Sequence, residues 1–152
     1  MGRVEGRVAI VTGAAQGLGA TYARALAAEG AKVVIADRDS GAAVVEEIKA
    51  AGGDAIDVPT DVREESATLE MVAKTVEAFG KLDIMVNNAA IFTALERKAF
   101  DEISVDEWDL MHAVNVRGTW LCCRAAVAEM RKQQYGKIIN ISTSRIFQGV
   151  PF

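Results

Sequence analysis

Five short apolar runs constrain this chain more than any other feature. They lie at residues 7–12 (RVAIVT), 32–37 (KVVIAD), 55–59 (AIDVP), 82–88 (LDIMVNN) and 137–142 (KIINIS). Most are nearly continuous in apolar character rather than alternating, the pattern of strands covered on both faces. Helical stretches separate them. Residues 17–29 form an Ala/Leu-rich amphipathic segment closed by Gly30, and residues 40–51 end at Gly52-Gly53. Residues 64–79 stop at Gly80 and follow Asp61-x-x-Glu64, an analogue of the capping box. Residues 104–133 open with Ser104-x-x-Glu107, a capping box proper. This alternation predicts an α/β fold with an open, parallel, doubly wound sheet, helices on both faces and right-handed crossovers.

At 152 residues the chain is long enough for one domain with a real core, and no linker, repeat or low-complexity stretch divides it. Its net charge of −4 argues against a nucleic-acid or anionic-membrane surface, both of which want a positive face. No apolar run approaches the roughly 20 residues of a membrane span. The start, MGRVEGRVAIVTG, lacks a signal-peptide pattern, and Gly6 stands where a myristoylation signal wants Ser or Thr. Cys122 and Cys123 are adjacent and read as reduced thiols, which points to the cytoplasm. A single histidine, His112, and two neighbouring cysteines make no metal site. His112 reads as a structural or surface residue.

The stretch VTGAAQGLGA joins the first strand to the first helix and places glycines at 13, 17 and 19. A strand turning sharply into a helix needs such a residue. A Cβ at Gly17 or Gly19 would also keep a pyrophosphate from the backbone, while the helix N-terminus offers free N–H groups to its charge. Gln16 and Leu18 complete this candidate phosphate loop. The second strand ends at Asp37, where a carboxylate can accept hydrogen bonds from both hydroxyls of an adenosine ribose. It would repel a 2′-phosphate, which favours NAD over NADP. Arg38 beside it is the residue that could receive that phosphate.

The spacing Thr12-Gly13-x-x-x-Gly17-x-Gly19 resembles the short-chain dehydrogenase/reductase family, whose glycine motif is TGxxxGxG. Four further features fit in the same order. Asp61-Val62 resembles the acid-plus-apolar pair that lies along the adenine. Asn87 to Ala90, NNAA, resembles the family's NNAG after the fourth strand, so Asn88, Ala89 and Ala90 join the cofactor-binding candidates. Asn115, in VNVRGT, matches the family's catalytic asparagine, and INIS resembles the strand carrying its catalytic serine. The resemblance covers essentially the whole chain. It implies a Rossmann-type three-layer α/β/α domain over 1–152, binding NAD and interconverting an alcohol and a carbonyl compound by hydride transfer. It also implies asparagines that tie the central strands together, a helix kinked at Asn115 with an ordered water, and a long helix that packs on a second subunit of a homo-oligomer. Residue-level readings stand beside it. Asp61 could cap the following helix, and Asn87 and Asn88 could satisfy a strand end.

Read without gaps, Asn140-Ile141-Ser142-Thr143 puts Thr143 where the family has its catalytic serine. Ser144 and then Ser142 follow as alternatives, and the downstream Gly149 and Pro151 keep the family register. The resemblance further implies a Tyr with a Lys four residues later, since a phenol near pKa 10 needs a neighbouring cation to act as a base. Neither Tyr22 nor Tyr135 has such a lysine. The family places that motif just after the hydroxyl loop, so the expectation is that it begins beyond Phe152 and that part of the fold is missing. The fifth strand would then be an exposed edge, and 152 residues alone would be inactive. The segment 91–100 follows the fourth strand at the carboxyl edge and is expected to border the substrate. Two other readings remain open: a non-catalytic dinucleotide-binding module, and a Rossmann-like methyltransferase that has no use for the NNAA, Asn115 and Ser/Thr set.

Overall fold

The chain forms a five-stranded parallel sheet in the order β3-β2-β1-β4-β5, in a computed structural model that describes residues 2–92 and 98–143. The strands are β1 (Val8–Thr12), β2 (Lys32–Asp37), β3 (Asp54–Pro59), β4 (Ile84–Asn87) and β5 (Lys137–Asn140). The helices are α1 (Gly17–Ala28), α2 (Ala42–Ala50), α3 (Glu65–Phe79), α4 (Val105–Met111) and α5 (Thr119–Lys132). Each predicted strand and helix is present; most are trimmed at their ends, and β3 begins one residue earlier than expected. The segment predicted as one helix over 104–133 is not uniform. A π-helical stretch, His112–Gly118, separates α4 from α5.

The continuous apolar runs now have a physical explanation. Successive side chains of β1 enter opposite cores. Ala9 and Val11 pack with Ala20 and Ala23 of α1 and Val44, Val45 and Ile48 of α2. Ile10 packs with Met71 and Val72 of α3 and Ala125, Ala126 and Met130 of α5. A strand with helices on both faces has no wet side, so alternation disappears. The sheet reverses direction between β2 and β4 on either side of β1, which opens a crevice at the carboxyl ends of the strands.

One local expectation needs correction. Asp61 does not cap α3 with its side chain. The N-cap is Glu64 in an extended conformation with no capping side chain, and Glu64 N–H reaches the Asp61 backbone carbonyl at 3.0 Å. The carboxylate of Asp61 is occupied by Arg63 instead. Ser104 does cap α4, accepting from Glu107 N–H. The fifth run has the apolar character of a covered strand, yet, in line with the expected exposed edge, all four of its residues are exposed, with Ile139 at 45%. It pairs with β4 on one side only, and a groove floored by Val86, Ile139 and Ile141 lies open between it and α1.

At the amino end of the sheet Asp83 is buried and heavily bonded. It accepts from Val8 N–H at 3.0 Å and Arg7 at 2.9 Å, and Lys81 lies 2.8 Å away. Burial pushes its carboxyl up, but Lys81, the Val8 amide and Arg7 outweigh it and hold the pKa below the ordinary 3.8. A depressed folded-state pKa means that this stabilisation is present above the ordinary value and is lost as pH falls through the lower one. Asp83→Asn should therefore flatten the acid limb of a stability-against-pH curve. Asp83→Ala should cost about 2 kcal/mol at neutral pH, read by denaturant unfolding, because the amide of Val8 loses its buried acceptor.

Candidate functional site

The site is built outward from the end of β1. Gly13 follows Thr12 at φ +64°, a left-handed turn, and a Cβ there would stand 2.8 Å from Ala89 Cα. Gly19 has no such dihedral. A Cβ on it would lie 2.1 Å from the Gly13 carbonyl oxygen and 2.6 Å from Asn88 Nδ2. Its small size first lets α1 close on the loop. The chemical argument for a pyrophosphate applies better to Gly17, where nothing lies within 4 Å of a built Cβ. The first turn of α1 carries neither a capping side chain nor an acid. Its N–H groups therefore remain available to an anion.

Thr12 pins this loop to the end of β4. Its hydroxyl accepts from Asn88 N–H at 3.1 Å and Ala89 N–H at 3.0 Å and donates to the Val86 carbonyl at 3.3 Å. Asn88 Nδ2 donates to the carbonyls of Thr12 and Gly13, at 3.0 and 3.1 Å. Asn87 works in the other direction. It donates to Asn140 Oδ1 at 2.8 Å and to Cys123 Sγ at 3.2 Å, tying β4 to β5 and to α5. These amides thus join four elements, which fits the strand-tying role implied above.

A groove of about 630 Å³ runs along this edge. Gly13, Gln16, Gly17, Leu18, Asp37, Arg38, Asp61, Val62, Asn88, Ala89 and Ala90 all line it. Gly19 sits behind the loop. Asp37 accepts Ala15 N–H at 2.9 Å and Asp39 N–H at 3.1 Å, so its carboxylate braces the loop while it faces the groove. Arg38 is exposed and lies 3.7 Å from Asp39. Asp61 is held in a fork by Arg63, at 3.0 and 2.5 Å, and this hydrogen bonding, partly opposed by burial, lowers its pKa. Sequence reasoning missed Arg63. Its position two residues after the acid is the signal that could have found it.

Asn115 lies in the π-helical stretch. Its Oδ1 accepts Ile91 N–H at 2.9 Å, and its Nδ2 donates to the Ile91 carbonyl at 3.2 Å. The Asn115 carbonyl in turn accepts from Thr119 Oγ1 at 3.1 Å. The helix irregularity implied at this residue is therefore a π-bulge, and Asn115 clamps the backbone leaving β4. Among the described residues neither Asn115 nor Thr143 lines the groove. Thr143 follows β5 at an exposed position. Ser144, Gly149 and Pro151 lie outside the described residues, as do residues 93–97 of the segment expected to border the substrate.

The remaining candidates resolve simply. His112 is exposed, with Nδ1 2.9 Å from the Trp108 carbonyl and its ring 4.3 Å from the Trp108 ring. Leu121 and Cys122 are core, whereas Trp108 and Trp120 are exposed. Burial pushes the Cys122 thiol up to about 12, so it is no thiolate at neutral pH. Among the described residues no group of His, Cys, Asp and Glu could hold a metal ion, and no helix is long and apolar enough to cross a membrane.

Known proteins resemble this chain in sequence and fold. The family model for short chain dehydrogenases matches residues 7–152. An uncharacterized oxidoreductase of Thermotoga maritima is 43% identical over 150 residues, covering 97% of this chain and 57% of that protein. The 2,5-dichloro-2,5-cyclohexadiene-1,4-diol dehydrogenase LinX of Sphingobium indicum is 44% identical over 143 residues, covering 93% and 56%. A crystal structure of a short chain dehydrogenase from Mycobacterium avium superimposes with a TM-score of 0.87 at 36% identity, covering 95% of this chain and 55% of that one. The chain thus spans a little over half the length of these relatives.

Replacing Thr12 by Val keeps the shape and removes the hydroxyl. Two N–H groups then lose their acceptor, so the variant should unfold about 2–3 kcal/mol more easily in denaturant. A change below 0.5 kcal/mol would show that Thr12 does not hold the edge.

Proposed function

This chain belongs to the short chain dehydrogenase family, and we propose that it is the cofactor-binding portion of an NAD-dependent oxidoreductase acting on an alcohol or its carbonyl counterpart. One observation carries the reading: the uncapped N-terminus of α1 and the acid ending β2 face a single groove at the reversal point of the sheet. The residues fit a dinucleotide. Gly17 stands in open space beside unpartnered helix N–H groups, and Asp37 and Asp61 lie further along the same groove.

On this reading Gly13, Gln16, Gly17 and Leu18 hold the pyrophosphate, with Gly19 packing the helix behind it. Asp37 takes the adenosine ribose, and Asp61 with Val62 forms the adenine wall. Asn88, Ala89 and Ala90 border the second ribose. Asp37 and Asp39 place negative charge where a 2′-phosphate would sit, and Arg38 lies toward Asp39, which supports NAD over NADP. When bound, the nicotinamide supplies or accepts the hydride.

This chain's own residues orient and exclude. Ala90 narrows the path where the family usually has glycine. Asn115 fixes the backbone after β4, and the Thr143 hydroxyl, ahead of Ser144, would hold the substrate oxygen. Neither tyrosine in the described residues is placed to move the proton. Tyr22 packs against the α1 core, and Tyr135 lies under Arg7 at the amino end of the sheet, opposite the groove. A tyrosine–lysine pair following the hydroxyl loop would complete the acid–base chemistry. The same family reading proposes a homo-oligomer joined through the long helix, and the adjacent cysteines, read as reduced thiols, support a cytoplasmic location.

The 152-residue chain should therefore bind NAD+ without turning over an alcohol. In calorimetric titration Asp37→Ala should weaken NAD+ binding about tenfold, the value of a charge-assisted hydrogen-bond pair near 1.4 kcal/mol. S-adenosylmethionine should not raise the melting temperature. Stabilisation by S-adenosylmethionine but not by NAD+ would overturn the reading, and NAD+ reduction by a verified 1–152 chain would overturn the assignment of the proton chemistry.

A further inference from the structure

Asp57 breaks the apolar pattern of β3 at a position that faces α2. It pairs in register with buried Ile35 of β2, and Gly41, the N-cap of α2, lies over both. A Cβ on Gly41 would stand 2.2 Å from Ile35 Cγ2 and 2.9 Å from Asp57 Oδ1, so glycine is what lets the carboxylate lie there. Oδ2 accepts from Gly41 N–H at 3.0 Å and from the Ser40 hydroxyl at 3.4 Å. Ser40 Oγ in turn accepts Ala42 N–H at 3.3 Å, at the start of α2. Asp57 Oδ1 is buried and has no donor among the described residues.

The loop that Asp57 holds is the one bordering the adenosine end of the groove. Asp37, Arg38 and Asp39 line that groove, and Ser40 and Gly41 follow them directly. Asp37 already spans the front of the loop, accepting from Ala15 and Asp39 amides. A polar chain therefore runs from the glycine loop, through Asp37 and the 38–41 turn, to Asp57 on the edge strand.

We infer that Asp57 is a positioning residue for cofactor selectivity. By anchoring Ser40 and Gly41 it fixes the turn so that Asp37 meets the ribose hydroxyls and Arg38 stays beside Asp39, away from a 2′-phosphate. This rests on the NAD reading above. Freed from its anchor, the turn can swing, Asp37 loses its register and Arg38 becomes available to the phosphate.

The test titrates the 152-residue chain with NAD+ and NADP+ and compares Asp57→Ala, Asp57→Asn and Ser40→Ala. Asp57→Ala should reduce the NAD+ over NADP+ preference about tenfold, on the scale of hydrogen bonds to a charged group. Asp57→Asn, which keeps an oxygen for the Gly41 amide and the Ser40 hydroxyl, should restore most of it. Ser40→Ala, an exposed change that serves if Asp57→Ala does not fold, should give a smaller loss in the same direction. In an Asp37→Ala background Asp57→Ala should change the ratio less, because the part of its effect that passes through Asp37 is gone and only the Arg38 part remains. An unchanged ratio in Asp57→Ala and Ser40→Ala, an equal weakening of both cofactors, or an Asp57→Asn variant as impaired as the alanine would each overturn this inference and leave the NAD reading standing. A wild-type chain that binds neither dinucleotide overturns both.

Discussion

One hydroxyl group organises the carboxyl edge of this sheet. A threonine side chain offers one proton and two lone pairs, and Thr12 uses all three, toward Val86, Asn88 and Ala89. Because it is buried, no water can substitute for a missing partner. The consequence reaches beyond one turn. The end of β4 is drawn against the end of β1, Asn88 then reaches the Gly13 carbonyl, and the glycine loop is held while α1 packs behind it. The α1 N-terminus can face a ligand only because this knot sets where the helix begins.

The helix on the other face is fitted to the same edge by an irregularity. A regular helix through residues 112–118 would satisfy every backbone group internally. The π-helical stretch gives up that regularity, and Asn115 there bonds both backbone groups of Ile91. Asn is a poor residue for a helix interior, and here its side chain serves a neighbouring segment. Gly118 completes the fit, since a Cβ there would lie 2.7 Å from Val62 Cγ2. One stretch of helix thus sets both the backbone leaving β4 and the wall formed by Val62.

Much of this was legible in the sequence, for reasons that can be named. Continuous apolar runs between helical segments specify a sheet with two cores, because burial is a property of periodicity. The glycines and Asp37 announce a groove, because positive φ and a strand-end acid are local demands. What stayed hidden depends on distance in the chain. Nothing in the spacing says that Asp57 reaches back to Gly41, and although Arg63 stands two residues from Asp61, the capping pattern alone does not rank it above the α3 amides. A capping pattern describes which residues could bond, and the fold decides which partner is nearer. The π-bulge was expected only as a kink, since neither Val114 nor Val116 marks where an extra residue enters the turn.

The hydroxyl candidate Thr143 raises a different question, that of rigidity. A catalytic group must be held within roughly 0.5 Å of its working position, by packing as well as hydrogen bonds. β5, which leads into Thr143, is secured on its β4 side by the ladder and by the Asn87–Asn140 bond. Among the described residues its other edge has no partner strand and its residues are exposed, with Ile138 and Ile139 at 37% and 45%. Hydrogen bonds along one edge fix register but leave twist and tilt to packing. The candidate cofactor groove is built on β1 and β2, which pack between two helical layers. Among the described residues the candidate hydroxyl Thr143 follows a strand packed on fewer sides than β1, beside the apolar groove of Val86, Ile139 and Ile141. The two candidate sites thus differ in support: the groove rests on interior strands, and the hydroxyl loop follows an edge strand among the described residues.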